Sequence, residues 1–347
     1  MADTIKLSIC IATYNRADFI TETLDSIFSQ NTNKIEVIVV DGGSTDGTED
    51  VVKAYEAKYI NFRYIKLPTK GGFDEDLSYT VSCAKGEYCW LFSDDDIVKP
   101  GALSYILNTL TSDYDLVIVN SEIKDQSLTK VLKPKCINLL KDKVFNNQSF
   151  EKFFVLTAPH SSFLGCVIIK RSVWNSRNKS EYFGTMFVHV GVLFQTQFDG
   201  RLLVIADPLV SIRYGNAMWT PRSFEISLII WPKLIFSFDN FSNNAKKLVC
   251  PIRPWESISR LLFYRARGSY TKDQYHKFIA GQPGFMKQAL AFLIAYAPGR
   301  ALNLIFITYF YLLRADKPNT KLILIDLQKS IYYCGFRFIN RLICRRK

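Results

Sequence analysis

The first 125 residues alternate short apolar segments with segments of helical periodicity, and this alternation constrains the fold more than any other feature of the chain. Segments rich in Ile, Val and aromatic residues predict four buried strands, at Leu7–Ala12, Ile35–Val40, Phe62–Leu67 and Tyr88–Phe92. Between them, apolar residues recur at the spacing of amphipathic helices. Strands separated by such helices are joined by right-handed crossovers and pair in parallel. We therefore expect an α/β fold with a doubly wound, mostly parallel sheet.

The pattern changes twice further along the chain. Three more strands are predicted after Pro100 among helical segments, at Leu116–Asn120, Phe163–Ile169 and Leu202–Ile205. The second half of the sheet is therefore expected to be mixed. From Ser223 onward strand signals nearly vanish, and helical segments are separated by proline and glycine. We divide the chain into an α/β domain, residues 1–222, and a helical region, residues 223–347.

The positive charge of the chain lies almost entirely in its last third. Residues 1–240 hold 25 Lys and Arg against 28 Asp and Glu, whereas residues 241–347 hold 19 against four. Basic residues combined with long apolar segments fit an anionic membrane surface better than a nucleic acid. No segment reaches the ~18 uninterrupted apolar residues of a spanning helix, so we expect helices that lie on the bilayer or pack together. A helical domain with a solvated basic face is the alternative.

Two groups of residues in the helical region are candidates for membrane or acceptor contact. The basic end of the chain, with Arg341, Arg345, Arg346 and Lys347 after several apolar residues, is the best candidate for a lipid anchor. The tryptophans at positions 219, 231 and 255 are candidates for stacking on sugars or lying at an interface, although most aromatic residues at helical spacing belong to a core.

The eight cysteines indicate a reducing compartment. They form no CxxC pair, and several lie within apolar segments that read as strands. Such cysteines are typical of buried thiols in a cytosolic protein rather than of a disulfide framework. Residues 1–6 lack the apolar segment of a secretory signal. We expect a location on the cytoplasmic face of a membrane.

Polar residues follow each of the four predicted parallel strands. The strands end in Thr13-Tyr14-Asn15, in Asp41, near Gly71-Gly72 and in the triplet Asp94–Asp96. In open parallel sheets ligands bind outside the carboxyl ends of the strands, so these four ends are expected to form one crevice. Asp41 offers a carboxylate that accepts hydrogen bonds from a base N–H or a ribose hydroxyl.

The aspartate triplet is the sharpest chemical signal. Clustered carboxylates at the end of a buried strand repel one another, and a divalent cation relieves that repulsion. Oxygen ligands suit Mg²⁺ or Mn²⁺, which proteins commonly hold through one or two carboxylates together with substrate phosphates. A solvated acidic turn that caps the next helix is the alternative interpretation.

Three ordered motifs resemble the family 2 glycosyltransferases of the GT-A fold. They are the segment Leu7–Arg16, the segment Val37–Thr48 and the segment Ala84–Tyr88 that leads to Asp94–Asp96. More weakly, Lys70–Glu87 and Phe187–Gly215 are similar to abequosyltransferase-type enzymes, which transfer a dideoxyhexose from a CDP-sugar. The resemblance implies a GT-A sheet in residues 1–222 as the nucleotide-sugar-binding catalytic domain.

The resemblance also implies roles for individual residues. Thr13, Tyr14 and Asp41 match positions that hold the nucleoside, and Asp74 matches a polar position that contacts the nucleotide. Asp95 matches the metal-binding end of the acidic motif. Asp94 matches a position that contacts the ribose or the metal, and Arg213 one near the diphosphate. Ser93 replaces the first aspartate found in many members, so fewer carboxylates are expected on the metal.

The acceptor-activating base departs from the family pattern. Inverting members use an aspartate at the start of the helix before the last strand, and here the matching stretch, Phe187–Leu193, contains no carboxylate. His189 lies nearest the position of the family's catalytic aspartate. We therefore take His189 and Asp96 as the candidate catalytic residues. A neutral imidazole serves as a base near neutral pH. His160 is a second candidate, a structural role for His189 is equally compatible with its valine neighbours, and the resemblance leaves the outcome open between inversion and retention.

These features predict a glycosyltransferase that uses Mg²⁺ or Mn²⁺. It would move a sugar from a UDP-, CDP- or dTDP-linked donor to a glycan, as in lipid-diphosphate-linked acceptors for O-antigen or capsule. Two alternatives remain. A sugar nucleotidyltransferase shares the architecture but needs a basic glycine-rich segment that Thr13–Arg16 does not supply. A membrane-associated sugar-binding scaffold with a degenerate site would explain the missing carboxylate but not the aspartates.

Overall fold

The computed structural model describes residues 5–31, 33–315, 317 and 319–334. The strands are β1 (Leu7–Thr13), β2 (Ile35–Asp41), β3 (Phe62–Lys66), β4 (Tyr88–Phe92), β5 (Ile97–Val98), β6 (Tyr114–Lys124), β7 (Val131–Lys133), β8 (Lys143–Phe145), β9 (Val167–Lys170) and β10 (Arg201–Arg213). The α-helices up to β10 are α1 (Ala17–Phe28), α2 (Thr48–Lys58), α3 (Phe73–Ser82), α4 (Ala102–Thr109), α5 (Phe150–Ser161), α6 (Arg171–Ser176) and α7 (Val188–Phe194). Those that follow are α8 (Ser223–Glu225), α9 (Trp231–Ser237), α10 (Asn243–Val249), α11 (Ile258–Arg267), α12 (Lys272–Phe278), α13 (Phe285–Tyr296), α14 (Gly299–Leu313) and α15 (Thr320–Gln328).

One mixed sheet organises the first part of the chain. Its main order is β3-β2-β1-β4-β9-β6-β10-β5, with β7 on β6 and β8 on β10. Strands β1 to β4 pair in parallel, β9 runs antiparallel between β4 and β6, and β10 returns parallel to β6. The predicted doubly wound sheet with a mixed second half is confirmed. The buried strands pack against the apolar faces of α1, α2 and α4.

The chain forms two compact units. Of the described residues, those up to Arg213 and Phe238–Val249 form the first unit, and Tyr214–Ser237 and those from Cys250 onward form the second. The first unit contains the sheet. The second has apolar cores among its helices, around Phe224, Trp255 and Tyr270 and around Ala266 and Ile307. The functional roles that we predict for residues 1–222 and 223–347 stay predictions.

Several element boundaries differ from the predicted ones. The first of the helical segments predicted after Ser223 contains a π-helical segment, Ile226–Ile230, between α8 and α9. The last described helix is α15, and the predicted basic anchor at Arg341, Arg345, Arg346 and Lys347 lies outside the described residues. Among the described residues, no single helix has both the length and the apolar composition of a membrane span. Among these residues, α13 and α14 meet both criteria when they are taken together, but the two helices are bent by 95° at their junction.

The motif at residues 84–88 braces the edge of the sheet opposite the strand ends that carry the predicted site. Oε1 of the buried Glu36 accepts hydrogen bonds from Ser8 Oγ and from the backbone N–H of Lys85, both at 2.6 Å. The backbone N–H of Gly86 donates to Ser8 Oγ at 2.8 Å, and a Cβ at Gly86 would lie 2.8 Å from the Ser8 nitrogen. This motif therefore positions β1, β2 and β4 relative to one another.

Candidate active site

The loops that follow β1 and β2 are held together by hydrogen bonds between them. The backbone N–H of Asn15 donates to Ser44 Oγ at 2.8 Å, and the backbone N–H of Thr45 donates to Asn15 Oδ1 at 2.9 Å. The backbone N–H of Gly42 donates to the Thr13 carbonyl at 2.9 Å. Thr13 and Asp41 are paired in register at the ends of β1 and β2. The predicted nucleoside residues Thr13, Tyr14 and Asp41 are thus brought to one edge of the sheet.

Asp41 is fully buried and held rigidly. Its Oδ1 accepts hydrogen bonds from the backbone N–H and the hydroxyl of Ser44, at 2.8 and 2.6 Å. Its Oδ2 accepts a hydrogen bond from the Tyr64 hydroxyl at 2.7 Å. These donors satisfy a carboxylate that would otherwise be costly to bury. Its role with the nucleotide base stays a prediction.

Two residues to which the sequence analysis assigned no role, Lys70 and Asp76, lie beside this nucleoside region. Lys70 Nζ is 3.9 Å from the centroid of the Tyr14 ring. Asp76 Oδ2 lies so close to Gly42 that a Cβ there would be 2.9 Å from it. Burial raises the pKa of Asp76, although the backbone N–H groups of Gly72 and Gly71 oppose the shift. The sequence signal that could have identified them is their nearness to Gly71-Gly72, which Lys70 directly precedes and Asp76 follows four residues later.

The aspartate triplet is buried after β4, with its first two carboxylates facing a single arginine. Arg16 Nε lies 3.4 Å from Asp94 Oδ1, and its Nη2 lies 3.7 Å from Asp95 Oδ2. Burial first, and then the charge of Asp95, raise the pKa of Asp94 to about 7, whereas Arg16 and the Thr13 hydroxyl lower it. One guanidinium therefore balances the negative charge of the pair only in part.

This donor set fits a hard divalent cation. Asp94 and Asp95 supply two adjacent carboxylates, and Mg²⁺ is commonly held by one or two carboxylates plus substrate phosphates rather than by a complete protein cage. No cluster of three or more potential metal ligands occurs among the residues that the structure describes. The predicted metal residues are therefore brought together, while metal binding itself stays a prediction.

Asp96 makes a hydrogen bond to the end of β10. It is 2% exposed, and its Oδ1 accepts a hydrogen bond from the backbone N–H of Arg213 at 2.8 Å. Burial and the charge of Asp95 raise the pKa of Asp96 well above its usual range. These contacts give Asp96 a structural position, and its predicted catalytic role is untested.

Arg213 connects the aspartate loop to two other segments. Its Nε donates to the Asp95 carbonyl at 2.9 Å, its Nη1 donates to the Gln126 carbonyl at 2.7 Å, and its Nη2 donates to the Glu22 carboxylate. All three guanidinium nitrogens therefore have protein acceptors. The predicted contact with the diphosphate would require at least one of these bonds to be exchanged.

Replacing Arg213 by Gln is expected to lower the free energy of unfolding by about 2–4 kcal/mol, because buried acceptors lose their charged donor. Chemical denaturation followed by tryptophan fluorescence measures this loss. The matched control is Arg201→Gln at the exposed other end of the same strand, where we expect a change of less than about 1 kcal/mol. Equal destabilisation by the two variants would contradict the proposed bracing role of Arg213.

Asp74 holds the beginning of α7. Its Oδ2 accepts a hydrogen bond from the Met186 N–H at 2.8 Å, and its Oδ1 accepts one from the Val188 N–H at 2.9 Å. At the other end of this helix, Arg177 Nη1 donates to the Val192 carbonyl at 2.7 Å. The carboxylate at the start of α7 and the guanidinium at its end both interact favourably with the helix dipole and so stabilise the helix. The predicted contact of Asp74 with the nucleotide stays a prediction.

His189 lies on α7 and is 1% exposed. Neither ring nitrogen makes a well-formed hydrogen bond within the described residues. Burial lowers the pKa of His189 to about 4, with a smaller opposing effect of the Ser161 backbone. The ring is therefore neutral at pH 7, with nitrogen lone-pair capacity left unused.

His160, the second candidate, is also buried. Its Nε2 lies 3.2 Å from the Val119 carbonyl, and burial lowers its pKa to about 4. The two histidines thus share burial and neutrality but differ in hydrogen bonding. This difference makes His160 the natural control for His189.

Together, the mixed sheet and the strand-end aspartates are features of the GT-A fold. Residues 8–174 match the family model described as glycosyl transferase family 2. This match covers just under half of the chain and confirms the predicted resemblance to the family 2 glycosyltransferases.

The chain is similar along most of its length to an abequosyltransferase, RfbV of Salmonella typhimurium. The two are 29% identical over 271 residues, which cover 72% of this chain and 81% of that protein. It is also 29% identical over 181 residues to the GalNAc(5)-diNAcBac-PP-undecaprenol beta-1,3-glucosyltransferase of Campylobacter jejuni, covering 52% of this chain and 56% of that one. The chain is therefore similar to family 2 glycosyltransferases of the abequosyltransferase type, as its sequence motifs predict.

A solved structure supports the fold. S. aureus TarS 1-349 aligns with a TM-score of 0.54 and 18% identity, over 93% of this chain and 89% of that one. At this identity the likeness concerns the fold alone.

Proposed function

We propose that this protein transfers a sugar from a nucleoside diphosphate donor to a lipid-diphosphate-linked glycan during the synthesis of surface polysaccharide. The observation that carries the proposal is the pair Asp94 and Asp95, which Arg16 balances only in part, beside the nucleoside region at Asp41. The similarity to an O-antigen-type abequosyltransferase supports the polysaccharide product, and the undecaprenol-linked name of the Campylobacter relative supports the acceptor class.

In this proposal, the residues at the strand ends bind different parts of the nucleotide-sugar donor. Asp41 and Tyr14 bind the nucleoside, and Lys70 beside the Tyr14 ring adds positive charge near the donor. Asp94 and Asp95 would hold Mg²⁺ or Mn²⁺, which supplies positive charge to stabilise the departing diphosphate. Arg213 keeps the aspartate loop in place through the Asp95 carbonyl.

The acceptor hydroxyl needs a group that accepts its proton if the reaction inverts the anomeric centre. We propose His189 for this step, because its ring is neutral at pH 7 and its nitrogens are unused by well-formed hydrogen bonds within the described residues. The ring is buried, so an acceptor must displace part of its surroundings to reach it. We propose the cytoplasmic face of a membrane as the location, on the basis of the lipid-linked acceptor class and the reducing compartment that the cysteines indicate.

Donor binding is tested by thermal shift with UDP, CDP, GDP and dTDP, each with and without Mn²⁺. A ligand that binds only the native state raises the melting temperature, by an amount equivalent to about 2.7 kcal/mol at a hundred times its dissociation constant. We expect a shift with one nucleotide that depends on Mn²⁺. The resemblance to abequosyltransferases makes CDP the expected nucleotide.

The same assay, extended to the corresponding nucleoside triphosphates, separates the alternatives. A degenerate scaffold would show no shift with any nucleoside diphosphate. A sugar nucleotidyltransferase would be stabilised by a nucleoside triphosphate more than by a diphosphate and would release pyrophosphate from a triphosphate and a sugar phosphate. Either result would overturn the transferase proposal.

A further inference from the structure

Helices α13 and α14 carry an apolar face on the surface of the second unit. In α13 the exposed apolar side chains include Met286, Leu293 and Tyr296, and in α14 they include Ile305, Tyr309 and Leu312, with exposed fractions from 39% to 75%. We call these two sides together the outer face. Within each helix these residues recur at intervals of three, four or seven, so they share one side. Soluble monomers rarely expose large contiguous apolar surfaces without a binding role.

The opposite sides of both helices are packed within their own unit. Ala291, Ile294 and Ala295 of α13 are buried. In α14, Asn303 Nδ2 donates to the carbonyls of Ala266 and Leu327 at 3.1 and 2.9 Å. Each helix is therefore anchored on one side and apolar on the other. A ligand or surface must approach from outside, because the inner sides already have partners.

Basic residues accompany the outer face. Residues 274–315 contain no Asp or Glu but include Lys277, Lys287, Arg300 and Arg314. Lys272 Nζ lies 4.2 Å from the Tyr296 ring centroid, and Arg314 Nε donates to the Tyr309 hydroxyl at 2.8 Å. Tyrosines with adjacent cations at the edge of an apolar surface are typical of side chains at a membrane–water interface.

We infer that the outer face binds an anionic phospholipid bilayer, with α13 and α14 lying in the headgroup region. At 1.5 Å per residue the helices are about 18 and 22 Å long, shorter than the ~30 Å hydrocarbon core. A second copy of the chain fits less well, because pairing two identical faces would bring cations together without carboxylates from residues 274–315. The inference deepens the proposed function, since a lipid-linked acceptor is met at a bilayer, but its test requires no sugar transfer.

The test is flotation of the full chain with vesicles of phosphatidylcholine alone or with added phosphatidylglycerol. We expect the protein to float with the anionic vesicles and much less with the neutral ones. The double variant Leu293→Glu/Leu312→Glu should lose at least about tenfold in partition coefficient, because two apolar contacts are replaced by charges that the anionic surface repels. The matched control is Ile60→Glu/Leu140→Glu, which changes two fully exposed apolar residues of the first unit and should float like the wild type.

Three results would overturn the inference. One is equal flotation of the outer-face variant and the wild type, which would place the membrane contact elsewhere, for example at the predicted basic end. A second is absence of flotation with either vesicle. The third is a wild-type dimer in sedimentation that the outer-face variant dissociates, which would assign the face to a second copy. Circular dichroism and the nucleotide thermal shift, measured on every variant, separate misfolding and failure of the proposed donor site from loss of membrane binding.

Discussion

Asp95→Asn is expected to reduce sugar transfer at least about a thousandfold while leaving the protein folded, because it removes a carboxylate from the site that stabilises the departing diphosphate. Asparagine keeps the shape of the side chain and can still accept the hydrogen bond that Ser93 Oγ donates to Asp95. The measurement is the initial rate of transfer from a radiolabelled nucleotide-sugar to a membrane acceptor fraction. The melting temperature is recorded in parallel.

The control is Asp207→Asn, whose side chain is 84% exposed and lies 3.3 Å from Lys135 Nζ. It should retain the wild-type rate. A wild-type rate for Asp95→Asn itself would refute the metal assignment.

Asp94→Asn tests the effect of the first aspartate on stability. Since the pKa of Asp94 is raised to about 7, its ionisation costs the native state stability as pH rises from about 4 to 7, so the asparagine variant should melt no lower than the wild type at pH 8.

His189→Ala is expected to reduce the transfer rate by about 10²–10⁴ while leaving the donor dissociation constant within about twofold, because a general base acts on the acceptor rather than on the donor. The rate is measured at saturating donor and acceptor. Donor affinity is measured by isothermal titration with the nucleoside diphosphate that the thermal shift identifies.

His160→Ala is the matched control, since it removes a second buried histidine whose pKa is also about 4. Both variants create a cavity and lower stability, so the melting temperature of each must be compared. Loss of activity confined to His189→Ala supports the proposed base. A rate close to that of the His160 variant would remove His189 as the base and leave a retaining outcome as the simpler explanation.

The sequence predicted the sheet well where local signals coincide. In β1, β2 and β4, apolar segments of strand length are flanked by helical periodicity, and each of the three predicted strands matches the observed one to within one residue. The later strands were predicted less accurately, because β9 runs antiparallel between β4 and β6 and the predicted segment began four residues too early. Periodicity indicates strands but does not encode such pairings.

The sequence could not predict which side chains contact one another across distant segments. Nothing near Asp74 in the chain indicates that it holds the start of α7, because its donors at Met186 and Val188 are more than 100 positions away. The bracing of the Asp95 loop by Arg213 is equally remote in sequence. The exposure of the outer face could not be predicted either, since α13 and α14 are apolar on more than one side and only packing decides which side is covered.

By itself, the sequence determined the family, the order of strands and helices in the first half, and the residues that end the parallel strands, because these depend on local pattern and on spacing along the chain. The tertiary structure decided which of those residues face one another. It placed Arg16 between Asp94 and Asp95, buried His189, and turned Asp74 and Arg213 toward protein partners. Contacts between distant segments depend on how the whole chain packs, and burial sets the charge state of each group within them.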